Sequence, residues 1–123
     1  MRPDTKTLGQ QAEDLACRFL RQRGYQIVER NWRSPFGELD IVARDGGTLA
    51  IIEVKARSAK TFGGAEAALT PHKRKRIVTA SRAYLARTEA DLPVRFDLVA
   101  VQGEEIVLYQ DAFRLEGECS LGS

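Results

Sequence analysis

Glu38, Asp40, Glu53 and Lys55 lie on two runs joined by Asp45-Gly46-Gly47-Thr48. Glu38 to Arg44 alternates polar and apolar residues, and Leu49 to Arg57 is apolar with charges at its far end. The Gly-Gly between them predicts a β-hairpin. With Gly46 and Gly47 as the loop, Asp45 pairs with Thr48, Asp40 stands opposite Glu53, and Glu38 stands opposite Lys55. Period-two alternation puts all four on one face, with opposed Cβ atoms about 4.5–5.5 Å apart. Two facing carboxylates repel unless a proton or cation lies between them. A divalent ion, Mg²⁺ or Mn²⁺, resolves the conflict, because it takes oxygen ligands from one or two carboxylates and fills its shell with water and phosphate. Such an ion polarises a phosphodiester and lowers the pKa of water. Lys55 then positions the attacking water or stabilises the developing charge. The other reading is a solvated strand edge. Glu-x-Lys is an ordinary triplet in a chain that is 29% charged, and a one-residue register slip would separate the pair.

The rest of the chain must build that face. Residues 1–6 read as a frayed end. Leu8, Ala12, Leu15, Ala16, Phe19 and Leu20 recur at helical spacing from Thr7 to Arg23, and Gly24 is placed to stop the helix. Tyr25 to Glu29 reads as a short strand, and Arg30-Asn31-Trp32-Arg33-Ser34-Pro35 as a loop or bulge. Beyond the hairpin, Ser58 to Leu69 reads as a mobile loop or short helix. Thr70 and Pro71 suit the N-cap and first position of a second helix reaching about Thr88. Its inner face is Ile77, Val78, Ser81, Tyr84 and Leu85. Strands follow from Pro93 to Val101 and from Glu105 to Tyr109, and the tail from Gly117 reads as loose. The order α-β-β-β-α-β-β predicts one mixed α/β domain over 7–116, with flexible ends.

The chain has 123 residues, 19 bases and 17 acids. That suits one domain with a real core. No apolar run approaches a membrane span, and the start lacks the apolar stretch of a signal peptide, so a cytoplasmic protein without a membrane partner is expected. His72 is the single histidine, and Cys17 and Cys119 form no CxxC pair. Both cysteines are expected as free thiols. Hydrolytic chemistry must rest on carboxylates, lysines and a hard metal. The first 95 residues hold 18 bases and 11 acids, while the remainder holds six acids and one base. A basic body suits an anionic partner, nucleic acid being the commonest, or is merely a solvated surface.

The basic run His72-Lys73-Arg74-Lys75-Arg76 opens the second helix. Cations at a helix N-terminus cost about 0.3–1 kcal/mol each, so the arrangement makes better sense beside a phosphate. The alternative is a salt-screened charge run. Lys73, Arg74, Lys75 and Arg76 are candidate phosphate contacts, extended by Arg57 and Lys60 beyond the motif strand and by Arg33. Contacts of this kind carry little base specificity. His72 suits a phosphate contact rather than catalysis. Tyr25 and Trp32 suit either stacking on bases or the core, and Arg95 and Asp97 share a strand face and suit a pair.

Gly37-Glu38-Leu39-Asp40-Ile41-Val42, a spacer of twelve residues after Asp40, and Glu53-Val54-Lys55-Ala56-Arg57 resemble the PD-(D/E)xK nuclease motif. From Gly9 to Phe113 the chain resembles the YraN family of bacterial predicted endonucleases, relatives of archaeal Holliday-junction resolvases. The likeness includes Glu13 and Ala16, Gly24-Tyr25, Arg30-Asn31-Trp32-Arg33, Lys73, Ala83-Tyr84-Leu85, Arg95-Phe96-Asp97 and Ala112-Phe113. It departs at Ala12-Glu13, where the family usually has Gly-Glu, at Asp111, where Asn is common, and in having no proline before Asp40. The resemblance implies a restriction-endonuclease-like α/β fold, a central mixed sheet flanked by helices. It implies Asp40, Glu53 and the Val54 carbonyl as metal ligands, Lys55 as the catalytic lysine and Glu13 as a further acid of the site. At 100° per residue, Glu13 lies only about 20° from Leu20, at the margin of the buried stripe. The expected activity is a Mg²⁺- or Mn²⁺-dependent endonuclease acting on DNA, including branched or structured DNA, with a homodimer suiting symmetric cutting. The alternatives are a non-catalytic nucleic-acid-binding module acting with a protein partner, and RNA as the ligand of the basic helix.

Overall fold

The computed structural model describes residues 7–56, 69–88 and 90–114. Arg57, Lys60, all but Leu69 of the Ser58 to Leu69 stretch and the tail with Cys119 lie outside the described residues. The elements are α1 (Leu8–Gln22), β1 (Gln26–Ser34), β2 (Gly37–Asp45), β3 (Thr48–Ala56), α2 (Pro71–Thr88), β4 (Val94–Gln102) and β5 (Glu105–Phe113). Their order is the expected one. The strands form one mixed sheet in the order β1-β2-β3-β4-β5. Neighbours are antiparallel except β3 and β4, which run parallel with α2 in the connection between them.

β3 takes the centre because Leu49 to Ile52 is apolar at every position and buried on both faces. Leu49 and Ile51 pack with Ile77, Ala80 and Tyr84 of α2. Ala50, Ile52 and Val54 pack with Ala12, Ala16 and Leu20 of α1. One helix therefore covers each face. On the α2 side Phe96 and Phe113 stack with centroids 4.6 Å apart, tying β5 to the core.

Local chemistry sets the helix ends. The Thr7 side chain accepts the Gln10 N–H at 3.1 Å, and the Gln10 side chain accepts the Thr7 N–H at 2.9 Å. This capping box is worth about 1 kcal/mol. At the other end Tyr25 N–H reaches Leu20 O and Gly24 N–H reaches Arg21 O, with Gly24 at φ +90°. That paired C-terminal motif needs a residue free to adopt positive φ. In α2, Thr70 Oγ1 accepts the Lys73 N–H at 3.2 Å, so Thr70 and Pro71 act as expected.

Two strands outrun their expected lengths. β1 continues through Arg30–Ser34, the stretch read as a loop, and pairs with β2 as far as Ser34↔Gly37. A register shift between Ile27 and Glu29 and a left-handed Asn31 (φ +52°) absorb the irregularity without ending the strand. β5 continues to Phe113 because the buried Asp97 carboxylate accepts the Asp111 N–H at 2.9 Å. Asp111 sits at φ +53° where the ladder slips.

Candidate active site

Strict alternation would keep Leu39 and Ile41 on one face of β2. Instead Leu39 packs on the α2 side and Ile41 on the α1 side, so the strand turns over at Asp40. β1 does the same beside it. Arg30 reaches Asp14 of α1 at 2.7 Å, whereas Trp32 packs edge-on to Tyr84 of α2 at 5.3 Å. Asn31 between them takes the left-handed conformation that asparagine tolerates better than most residues. The pairs Arg30↔Ile41 and Trp32↔Leu39 place Asn31 across from Asp40.

The turnover aims Asp40 along the sheet toward β3, where its Oδ2 accepts the Val54 N–H at 2.9 Å. The β2–β3 ladder runs from Asp45↔Thr48 to Ile41↔Ile52 and no further. The inferred turn and register are thus present. They bring Asp40 beside Glu53 where the two strands part. Glu38, however, does not pair with Lys55. It stands across from Arg33 of β1, with Arg33 Nε 3.3 Å from its Oε2. Glu38 still lines the same cavity as Asp40 and Glu53, and its charge adds to the rise of the Asp40 carboxyl. Val54 gives its N–H to Asp40 and its side chain to the α1 core. Lys55 follows Glu53 on the same face, half-buried.

Burial, then the Glu53 charge, push the Asp40 carboxyl up to about 7. Glu13 approaches from α1 with its side chain 13% exposed. Its carboxyl is raised by burial first and then by Asp40, while the Asn31 side chain and Arg30 oppose the rise. Glu13 Oε1 is buried with no hydrogen-bond partner among the described residues. Arg30 Nη2 lies 3.9 Å from it, near enough for Coulombic attraction and too far for a hydrogen bond. Acids therefore come from α1, as Glu13, and from two neighbouring strands, as Asp40 and Glu53.

Across the α2 face lies an open cavity of about 450 Å³. Asp40 and Glu53 form its floor, Lys73 and Arg76 one wall, and Arg33 and Ser34 another. Lys73 and Arg76 share this wall because they are three residues apart on α2. Lys73 Nζ stands 3.0 Å from Glu53 Oε1, a direct approach that the basic run alone does not reveal. Of the other candidates, Arg74 turns back to donate to Leu69 O at 2.7 Å, and Lys75 and His72 are exposed. Gly37 sits at φ +141°, a conformation that disfavours a side chain, and a Cβ there would meet Ala80 Cβ and Arg76 O of α2 at an ordinary 3.6 Å. Asn31, which the sequence presents as part of a break in strand pattern and of the family likeness but not as a site residue, is a hydrogen-bond partner of Glu13.

The donors facing the cavity are hard carboxylate oxygens, which suit Mg²⁺ or Mn²⁺. Among the described residues no three His, Cys, Asp or Glu side chains form a ready-made cage. A carboxylate pair fits an ion that keeps water and substrate phosphate in its shell. The unpaired, buried oxygen of Glu13 also fits a site that gains a cation or a metal-bound water.

A second polar cluster is fully occupied with its own bonds. Arg95 donates to Asp97 at 2.8 Å, to Asp45 at 2.9 Å and to the Tyr25 hydroxyl at 2.8 Å. Tyr25 donates to Asp97 and accepts from Gln110. Arg95 and Asp97 pair as expected, Tyr25 is buried in the core on the α1 side, and Trp32 packs partly buried against the core on the α2 side. Cys17 is a buried free thiol. No described helix is long and apolar enough to cross a membrane.

The family described as "Uncharacterised protein family UPF0102" matches residues 12–101. A UPF0102 protein of Ralstonia nicotianae is 43% identical over 119 residues, covering 93% of this chain and 92% of its own. One from Nitrosomonas eutropha is 43% identical over 110 residues, covering 89% and 95%. One from Shewanella oneidensis is 49% identical over 107 residues, covering 87% of this chain and 99% of its own. The chain belongs to the uncharacterised protein family UPF0102, the YraN family whose likeness its residues carry.

Proposed function

We propose that this protein is a cytoplasmic, divalent-metal-dependent nuclease of the restriction-endonuclease-like kind, hydrolysing phosphodiester bonds in DNA, branched or structured DNA included. The carrying observation is the juxtaposition of Asp40 and Glu53 where β2 and β3 part, beneath a cavity walled by Lys73, Arg76 and Arg33. Like charges are held together there, and cations surround the space above them. A sheet gains no stability from such a pair, whereas a phosphate-processing centre requires it.

Asp40 and Glu53 would hold the ion, with the Val54 carbonyl beside them and Glu13 close enough to orient a water of its shell. A bound Mg²⁺ or Mn²⁺ supplies charge neutralisation at phosphorus and an acidified water. The chain's own residues do the rest. The Val54 N–H fixes the Asp40 carboxylate and leaves its other oxygen free to ligate. Lys55 stabilises the charge that develops on the phosphate oxygens. Arg76 and Arg33 clamp the backbone of the bound strand through phosphate contacts that carry little sequence information.

The test is cleavage of labelled linear, forked and four-way DNA, and of matched RNA, with Mg²⁺ or Mn²⁺. The proposal expects metal-dependent cutting of DNA that Glu53→Ala and Lys55→Ala both abolish. Tight DNA binding without cutting, unchanged by Glu53→Ala, would instead make the domain a binding module.

A further inference from the structure

Lys73 reaches the acidic pair from a fixed base. Its backbone N–H is held by Thr70 Oγ1, and Arg74 ties the same turn to Leu69 O. A cation in the first turn of a helix is disfavoured by the macrodipole, so attraction by Glu53 at 3.0 Å is what draws the ammonium inward. Glu53 is only 12% exposed and Lys73 is 36% exposed, so the contact spans the boundary between the buried floor and the open cavity. In this arrangement Lys73 supplies the positive charge that the carboxylate pair needs.

We propose that Lys73 is a built-in counter-ion. It holds Glu53 until a divalent cation displaces it, and the released ammonium then becomes a contact to the substrate phosphate. This inference rests on the metal-dependent reading above. An ammonium and a divalent cation on the same carboxylate oppose each other by Coulomb's law, so each weakens the hold of the other. The four-carbon stem lets the charge move several ångströms without moving the helix. It has somewhere to go, because Lys73 and Arg76 share a cavity wall and Arg33 lies on another. Nucleic acid that draws Lys73 away favours the metal, and metal that expels Lys73 favours nucleic acid. By linkage the two effects are equal in size.

Calorimetric titration with Mn²⁺ of wild type, Lys73→Met and Lys73→Arg tests the proposal, with circular dichroism to establish folding. Lys73→Gln repeats the neutral arm if methionine disturbs the turn. Lys73→Met is expected to bind Mn²⁺ about tenfold more tightly, the size of one half-exposed charge-assisted contact, and Lys73→Arg to stay near wild type. In a Lys55→Ala background, Mn²⁺ should strengthen binding of forked DNA when Lys73 is present and do so less with Lys73→Met. Equal or weaker Mn²⁺ affinity in Lys73→Met overturns the counter-ion role while leaving the nuclease reading intact. Absence of Mn²⁺ binding by any folded variant removes the metal-centre reading itself, and this inference with it.

Discussion

Asp40→Asn removes a charge and keeps an oxygen to accept the Val54 N–H, so it isolates the electrostatics of the acidic pair. In the folded protein the Asp40 carboxyl titrates near 7, and its ordinary value is 3.8. An acid whose folded pKa is raised holds its proton more tightly when folded. The resulting stability is fully present below about pH 4 and is lost as pH rises through 7. At about 1.4 kcal/mol per pH unit over roughly three units, the loss reaches about 4 kcal/mol. In EDTA, wild type should therefore weaken steadily from pH 4 to pH 7 and level off above it. Asp40→Asn lacks this slope. It should match wild type near pH 4 and exceed it by about 2–4 kcal/mol at pH 8, on the order of 10 °C in Tm for a domain of this size. Saturating Mg²⁺ should then reverse the ranking, because it stabilises the protein that binds it. Thermal and urea denaturation across pH, with EDTA and with Mg²⁺, read these effects directly. A wild type more stable than Asp40→Asn at pH 8 in EDTA, or a difference independent of pH, would refute the reasoning.

Three other substitutions probe separate parts of the molecule. Arg76→Ala should weaken DNA binding equally across sequences and lower the slope of log affinity against log salt by about 1, as measured by fluorescence anisotropy. Arg95→Ala leaves the buried Asp97 without its main cation and should cost about 3–5 kcal/mol in urea denaturation. Gly37→Ala puts a side chain at φ +141° and should cost about 1–2 kcal/mol in urea denaturation, with DNA affinity near wild type because the added methyl meets α2 at ordinary contact distance.

Much of this arrangement is legible from residue order. The Gly46-Gly47 turn sets a two-residue loop, and every β2–β3 pair from Asp45↔Thr48 to Ile41↔Ile52 follows from it. The helix borders follow from Thr7, Gly24, Thr70 and Pro71, because caps act locally. The reversal at Asp40 is not legible in the same way. Alternation assumes a regular pleat, and a left-handed Asn31 on the neighbouring strand accompanies its break, so Leu39 and Ile41 pack on opposite faces of the sheet. The lengths of β1 and β5 escape for a related reason: tertiary partners, not propensity, carry those strands past their irregular residues. The approach of Lys73 to Glu53 joins residues twenty apart in the chain, and only the packing of α2 over the sheet reveals it.

The proposed nuclease site requires a metal held by Asp40 and Glu53 to contact the scissile phosphate. Its most direct test is single-turnover cleavage of forked DNA carrying a phosphorothioate at the cut site, in Mg²⁺ and in Mn²⁺, by wild type and Glu53→Ala. With the metal on the phosphate, sulfur should slow wild type in Mg²⁺, the softer Mn²⁺ should restore the rate, and Glu53→Ala should be inactive in both. Cleavage that proceeds in EDTA, or that survives in Glu53→Ala, would contradict that requirement.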